Sequence, residues 1–394
     1  MNWRLLAAVA PATFVSHAFS RQTYGLLLAA MEEDVVGSHT LAGSLGTINY
    51  AGYLVGVALM AIVAGRFEPI YLLRRGLGAA AVGFLVLAFA PGFALLAFGL
   101  VLAGLGSAAI WMSIPAIATA GVPASQRGTI MGALSSTIGL GLLFTGQGTT
   151  LIRTLLDDQT AWRPIWSAEA LITAVILVIV LIFAKPPPSE PLGAGVSVTV
   201  LRSVPGWFQL TVAYVMFGMI VSGTYSFLGA AIEDKGFSPQ RAAATYSLLG
   251  LSAIFAAVTM GRVSDRVGRV PVLVGSALVM GVAPWGVLIG RDPWLTMAAL
   301  AYGGASFTYP VLTGAYLRDQ VDGRAFTAAF GSITIFYGMG AVIGPQVGGL
   351  VRDVAGTFDP IFITLSFAAF GAAGLCATLP RRSAVSHEAR DRVG

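Results

Sequence analysis

Twelve apolar stretches, each long enough to cross a bilayer, divide this chain. They run at about 5–31, 41–64, 72–90, 93–120, 126–152 and 165–184 in the first half, and about 206–232, 240–260, 270–289, 294–317, 325–351 and 357–379 in the second. A hydrocarbon core about 30 Å thick needs about 20 apolar residues in a helix to span it. Within it every peptide group must find its partner inside the protein, which favours helices for segments of this length. Composition agrees: 10% of the 394 residues are charged, against about 25% in a soluble domain. The chain reads as an all-α polytopic membrane protein with 12 transmembrane helices in two six-helix bundles.

Several function classes fall away. The single cysteine, Cys376, leaves no intrachain disulfide and no cysteine metal site. The histidines His17, His39 and His387 are too scattered to suggest a metal cluster, so neither metal nor cofactor is expected. The net charge of +5 resides in loops between spans, so a lipid bilayer rather than nucleic acid is the expected surroundings. No phosphate-binding glycine loop, dinucleotide motif or HExxH occurs, so no enzyme is expected and any vectorial work must draw on a gradient. The first apolar run is about 27 residues, well beyond the 7–15 of a signal-peptide core, and is expected to remain as the first helix.

Lys185-Pro-Pro-Pro-Ser-Glu-Pro divides the halves. Proline stiffness and absent apolar periodicity make it a linker. The expected organisation is a bundle over 1–184, a cytoplasmic linker over 185–204, a second bundle over 205–380 and a charged tail over 381–394. With the N-terminus inside, cytoplasmic segments hold 16 Lys and Arg and outer segments hold 6. That excess sets both termini in the cytoplasm and places Glu32, Glu33 and Asp34 outside.

The halves repeat. At a shift of 199, Gly132, Gly139, Gly141, Gln147 and Arg153 match Gly331, Gly338, Gly340, Gln346 and Arg352. At 201, Thr23, Tyr24 and Glu32 match Thr224, Tyr225 and Glu233; at 196, Tyr50, Gly65 and Arg66 match Tyr246, Gly261 and Arg262. Parallel duplication of six helices, with a site at the interface, is an architecture of rocking transporters.

The twelve spans, the central linker and Gly261-Arg-Val-Ser-Asp265-Arg266-Val-Gly268-Arg269 resemble the major facilitator superfamily over about 4–380. The resemblance implies a secondary transporter working by alternating access, with Gly261, Asp265, Arg266, Gly268 and Arg269 in a cytoplasmic loop acting as a conformational latch. In the matching first-half stretch Pro69 replaces the aspartate and Glu68 falls one residue early. Ser-Arg-x-x-Tyr-Gly-x-x-Leu in the first helix is similar to an uncharacterised bacterial branch. Gly340 to Gly349, with Pro345, resembles a drug–proton antiporter signature, but lies on helix eleven rather than five and is read as a kinked packing face.

Arg21 is the sharpest candidate. It stands about ten residues or more from either end of the first run. A guanidinium facing lipid at that depth costs from about 3 to more than 10 kcal/mol. On an α-helix His17, Ser20, Arg21 and Tyr24 would share one face. The repeat mates of His17 and Arg21 are Gly218 and Ser222, so symmetric packing does not require either. Arg21 would bind the acidic group of a small organic anion. His17 or Glu169 would carry a coupled proton, giving an anion symporter of the bacterial inner membrane. Tyr24, Trp111, Tyr225 and Tyr309 are expected to line the cavity on helices one, four, seven and ten. A monomer is expected. The alternative is proton-driven efflux of drugs or hydrophobic metabolites.

Overall fold

The computed structural model describes residues 3–63, 66–120, 122, 124–156, 160–185, 196–321 and 323–380. Residues 186–195 of the linker, the tail over 381–394 and Gly65 lie outside the described residues. Among the described residues there are helices and turns and no strand.

Helices occupy all twelve apolar segments. The first, α1, is composite: Trp3–Val9, a π-helical Phe14–Gln22 and an α-helical Thr23–Met31. Then follow α2 (His39–Val63), α3 (Pro69–Phe89), α4 (Phe93–Thr119), α5 (Ala124–Leu155) and α6 (Trp162–Phe183). The second half holds α7 (Trp207–Asp234), α8 (Pro239–Val267), α9 (Arg269–Ile289, bent at Pro284), α10 (Trp294–Gln320), α11 (Gly323–Ala355) and α12 (Asp359–Ala377). Seven of these, among the described residues, are continuous and apolar enough to span on that ground alone. α1 is interrupted and carries Arg21 at its centre.

Three sequence expectations change. α1 is not one regular helix. Pro11 has no N–H to donate and the α-helix lapses after Val9. The Gly261 motif is not a loop: α8 runs on to Val267, and only Gly268, at φ +95°, leaves the helix. That left-handed angle suits a residue without Cβ. The linker contains a short helix, Val198–Arg202, whose first turn is capped by the Ser197 hydroxyl. Ser197 N–H also donates to Ser332 Oγ on α11 at 2.8 Å.

The halves meet along three pairs of helices: α5 with α8, α2 with α11, and α1 with α7. A Cβ at Gly25 would collide with the Tyr225 carbonyl, so the α1 and α7 backbones touch there. Duplication shows in the polar bridges. Gln147 on α5 donates to Ser247 on α8 at 2.9 Å, and its repeat mate Gln346 on α11 accepts from Ser44 on α2 at 3.0 Å. Ser136 on α5 bonds the Ile254 carbonyl of α8 at 3.4 Å, and further bonds join the halves towards the end of the bundle that carries Glu32. Thr47 bonds the Val342 carbonyl, Gln240 bonds the Arg153 carbonyl, and Thr40 bonds Asp353. These bridges hold the halves together at the Glu32 end.

Candidate functional site

α1 carries the candidate site because its hydrogen bonding changes there. In the π-helical stretch the bonds skip five residues instead of four, and such turns frequently mark functional sites. A polar side chain supports the altered register: Ser20 Oγ donates to Val15 O at 2.6 Å, while Thr23 Oγ1 lies 3.4 Å from Ala18 O. The expectation that His17, Ser20, Arg21 and Tyr24 share one face rests on α-helical spacing and does not hold. Ser20 turns onto its own backbone, and Tyr24 Oη donates to the Ala42 carbonyl of α2 at 2.5 Å.

Arg21 is 7% exposed. Its Nη2 donates to Ser107 Oγ on α4 at 3.3 Å, and Ser107 in turn donates to the Ser16 carbonyl at 2.6 Å. The guanidinium carbon lies 3.9 Å from the centroid of the Tyr53 ring on α2, a cation–π contact. Tyr50 on α2 and Tyr337 on α11 are its other electrostatic neighbours. Arg21 Nε is buried without a hydrogen-bond partner, and among the described residues no carboxylate pairs with the side chain. A cation taken out of water costs several kcal/mol unless something compensates it. Here only hydroxyls and ring faces do so.

The aromatic shell extends from there into the second half. Tyr337 packs 5.7 Å from both Tyr214 and Phe217, and Phe217 stacks on Tyr309 at 4.7 Å. Tyr309 is therefore one ring removed from the cage around Arg21, with its hydroxyl 3.1 Å from Cys376 Sγ. Tyr225 lies apart, its hydroxyl 3.3 Å from Ser306 Oγ and its ring beside Tyr246 and Tyr302. His17 stands edge-on to Trp111, 4.4 Å between centroids, with Nδ1 2.8 Å from Ser16 Oγ. Both rings are half-buried. The structure thus gathers Arg21, His17 and Trp111 but not Tyr24 or Tyr225. Ser107, Tyr50, Tyr53, Tyr214 and Tyr337 join the site, and sequence reading had missed them as such. Tyr50 was visible as a repeat mate of Tyr246, without a role.

Glu169 on α6 is 4% exposed. Thr23 Oγ1 donates to its Oε1 at 2.6 Å, while Oε2 is buried without a partner. The two arginines that could have anchored it are engaged elsewhere. Arg153 pairs with Glu233 at 3.0 Å and donates to Leu26 O at 3.2 Å. Arg163 pairs with Asp34 at 3.4 Å and donates to Ala90 O at 2.9 Å. Thr23 is two residues from Arg21, so α1 presents a cation and a carboxyl-binding hydroxyl within three consecutive residues.

At the opposite end, Arg269 binds Asp265 at 2.5 Å, Asp319 at the end of α10 at 3.1 Å and Ser264 Oγ at 2.7 Å. Arg266 is exposed. The motif ties α8, α9 and α10 within one half. In the first half Pro69 opens α3 where the aspartate would stand.

A family model described as "Uncharacterised MFS-type transporter YbfB" matches residues 13–378. The chain belongs to this family. It is therefore a multi-pass secondary transporter of the major facilitator superfamily, with that superfamily's 12-helix fold. The transporter is 24% identical to the uncharacterised MFS-type transporter YceJ of Bacillus subtilis over 79% of its own length and 81% of that protein's. It is 30% identical to human monocarboxylate transporter 11 over 72% of its length and 63% of the relative's. A shorter match, 33% identical over 28% of each chain, is to the class C tetracycline resistance protein of Escherichia coli. In fold it resembles the xylose transporter XylE from E. coli, solved in a partially occluded inward-open conformation. The TM-score is 0.78 at 12% identity, covering 94% of this transporter and 96% of that chain.

Proposed function

We propose that the transporter moves a small organic anion of the carboxylate type by proton-linked alternating access. The observation that carries the reading is Arg21: a buried guanidinium without a carboxylate partner among the described residues and with Nε unsatisfied. A carboxylate binding there would supply both the missing charge and the missing acceptor, and the planar fork of the guanidinium suits it. The likeness to a monocarboxylate transporter supports the same substrate class.

Glu169 is the proton carrier in this reading. A carboxylate taken out of water without a cation costs several kcal/mol, whereas the neutral acid does not. Thr23 links it to the helix that bears Arg21. His17, beside Trp111, is the second candidate, since imidazole exchanges protons near neutrality. The Asp265 end faces the cytoplasm, as do both termini, and the Glu32 end faces outside, following the 16-to-6 distribution of basic residues across the bacterial inner membrane. Arg269, bridging Asp265 and Asp319, latches the cytoplasmic face.

Proteoliposomes loaded with parent, Arg21→Gln or Arg21→Lys protein test the reading with radiolabelled carboxylates. Parent uptake that both variants match would end it. The match to a tetracycline resistance protein favours efflux as the second reading. Faster loss of cationic dyes from expressing cells, undiminished in Arg21→Gln, would establish that alternative.

A further inference from the structure

The repeat produces charged contacts at the Glu32 end that no transport role above has used. Arg153 and Arg352 are repeat mates, as are Glu32 and Glu233. One ion pair crosses between the halves and the other stays within the second. Arg153 of the first half pairs with Glu233 of the second, its side chain fully buried. Arg352 of the second half pairs with Asp234 at 2.9 Å and also acts electrostatically on Glu32 of the first.

The pocket beside Arg352 also holds a titratable group, His39. His39 Nδ1 lies 2.5 Å from Glu32 Oε2. The His39 ring stands edge-on to Phe358 of the second half at 5.5 Å. Asp353, also of the second half, accepts the Thr40 N–H at 2.9 Å and the Thr40 hydroxyl as well, capping the N-terminus of α2 across the interface. His39 is the first residue of that helix. A pocket of about 400 Å³ opens beside it, lined among others by Glu32, Glu33, Glu233, Asp234 and Arg352.

We propose that His39 is a proton-binding site that closes the Glu32 mouth of the transporter when occupied. A proton there places a positive charge between Glu32 of one half and Asp353 of the other. The charged groups around it come from every neighbouring element. Glu32 and Glu33 lie on the end of α1, Glu233 and Asp234 on the end of α7, and Arg352 and Asp353 on the end of α11. Asp359, at the start of α12, is engaged by Lys235 at 2.8 Å. Glu32 touches the proton site directly, Asp353 acts on it electrostatically, and Glu33, Glu233 and Asp234 line the same pocket, with Arg352 bound to Asp234 and Arg153 to Glu233. Opening the mouth carries Asp353, Glu233 and Asp234 away with the second half, and the proton loses those partners. Protonation therefore favours the closed mouth, and deprotonation releases it. Burial pushes the Glu32 carboxyl above its ordinary value while His39 pulls it back, as expected of two groups sharing this corner. If this mouth faces outside, as proposed above, external acid drives the transporter toward the inward-open state. The gate operates whatever cargo Arg21 takes.

The test is a distance measurement across the mouth. Leu155 and Val354, exposed at the ends of α5 and α11, are replaced by cysteines and spin-labelled; native Cys376 is buried. Pulsed EPR in nanodiscs at pH 5.5 and 8 reads the short, closed distance against the long one. The parent is expected to raise its closed-to-open ratio at pH 5.5 by an order of magnitude, about 1.4 kcal/mol. His39→Gln should abolish that dependence, and His39→Lys should stay closed at both values. Equal distributions at both pH values in the parent, or an unchanged pH response in His39→Gln, would overturn the proposal. Monodisperse elution of the variants and parent-like helicity by circular dichroism would exclude misfolding as the cause of a lost response.

Discussion

α1 and α7 occupy equivalent places in the two halves and touch at Gly25 and Tyr225, yet they are built differently. α7 is one uninterrupted α-helix of 28 residues. At its centre Gly218 lies so close to α11 that a Cβ would collide with the Tyr337 carbonyl, and Gly340 and Gly344 return the contact from α11. Ser222 turns back on its own helix, donating to Met219 O at 3.3 Å. The same stations in α1 hold His17 and Arg21, inside a π-helical turn supported by the Ser20 hydroxyl. One copy of the repeat was kept for close packing. The other holds an uncompensated charge, which packing alone would not select. The difference puts the unpaired cation on α1 and the tightest backbone contacts on α7.

Transplanting the charge is the harshest way to break that comparison. Ser222→Arg would place a guanidinium against Met219, Gly223 and Gly344, where neither a cavity nor a ring cage exists. An unpaired buried charge costs several kcal/mol, and a clash with α11 adds to it. The variant is expected to fail to accumulate as folded protein, measured by fluorescence-detected size exclusion. Normal yields would mean that α7 tolerates the charge as α1 does.

Removing the charge from α1 comes next. Arg21→Gln keeps a donor but loses a charge-assisted contact of about 1.5–3 kcal/mol, so carboxylate uptake should fall roughly 10- to 100-fold in kcat/KM. Arg21→Lys restores charge without the bidentate fork and should recover only part. Stability should rise or hold, because the guanidinium has no acid to lose. A large drop in melting temperature would instead make Arg21 a structural residue.

How much of this was legible beforehand depends on the reach of each signal. Helix number, the two halves and the buried Arg21 follow from apolar run lengths and from a duplication that survives in Gln147 and Gln346. The π-helical turn left no mark beyond Pro11, since an apolar run looks alike in either hydrogen-bond register. The cage around Arg21 draws Tyr50 and Tyr53 from α2 and Tyr337 from α11, and nothing local in those helices points to α1. Arg153 stands at the end of its span, and in the sequence it shows only as the repeat mate of Arg352. Only the fold shows that its side chain is buried against Glu233 and Leu26.

Gly218→Ala and Gly340→Ala sharpen the packing side of the contrast. Each new methyl meets backbone that cannot swing away, at about 1–3 kcal/mol, read as lost thermal stability in detergent. Gly141→Ala on α5 faces Phe14, part of α1, at 3.0 Å. That neighbour is partly side chain and can yield, so the loss should be smaller. Glu169→Gln has a subtler effect. The amide oxygen still accepts from Thr23, so folding should be normal and exchange of labelled carboxylate should persist. Uptake driven by an acid exterior should go flat with pH, whereas the parent's rises. Retained acid stimulation in Glu169→Gln would transfer the proton to His17.

The smallest effect lies furthest from α1, in a clamp that the second half has and the described first half does not show. Arg241 grips Asp292 through Nε at 3.2 Å and Nη2 at 2.7 Å, and Thr296 adds a third bond at 2.9 Å. These contacts, the Arg241 bond first, hold the Asp292 carboxyl below its ordinary value. A carboxylate favoured in this way stabilises the fold above its unfolded-state pKa, and that contribution fades as pH falls through the lower folded value. Asp292 is mostly exposed, so screening by water and salt limits the gain to under about 1 kcal/mol. Asp292→Asn should therefore cost little at pH 7, and progressively less as the solution is acidified toward pH 3, measured by thermal denaturation. Raising salt should shrink the difference as well. A cost that persists at low pH would assign the clamp to the geometry of the α9–α10 turn rather than to its charge, and the second half would then be held by packing at this corner as it is along α7.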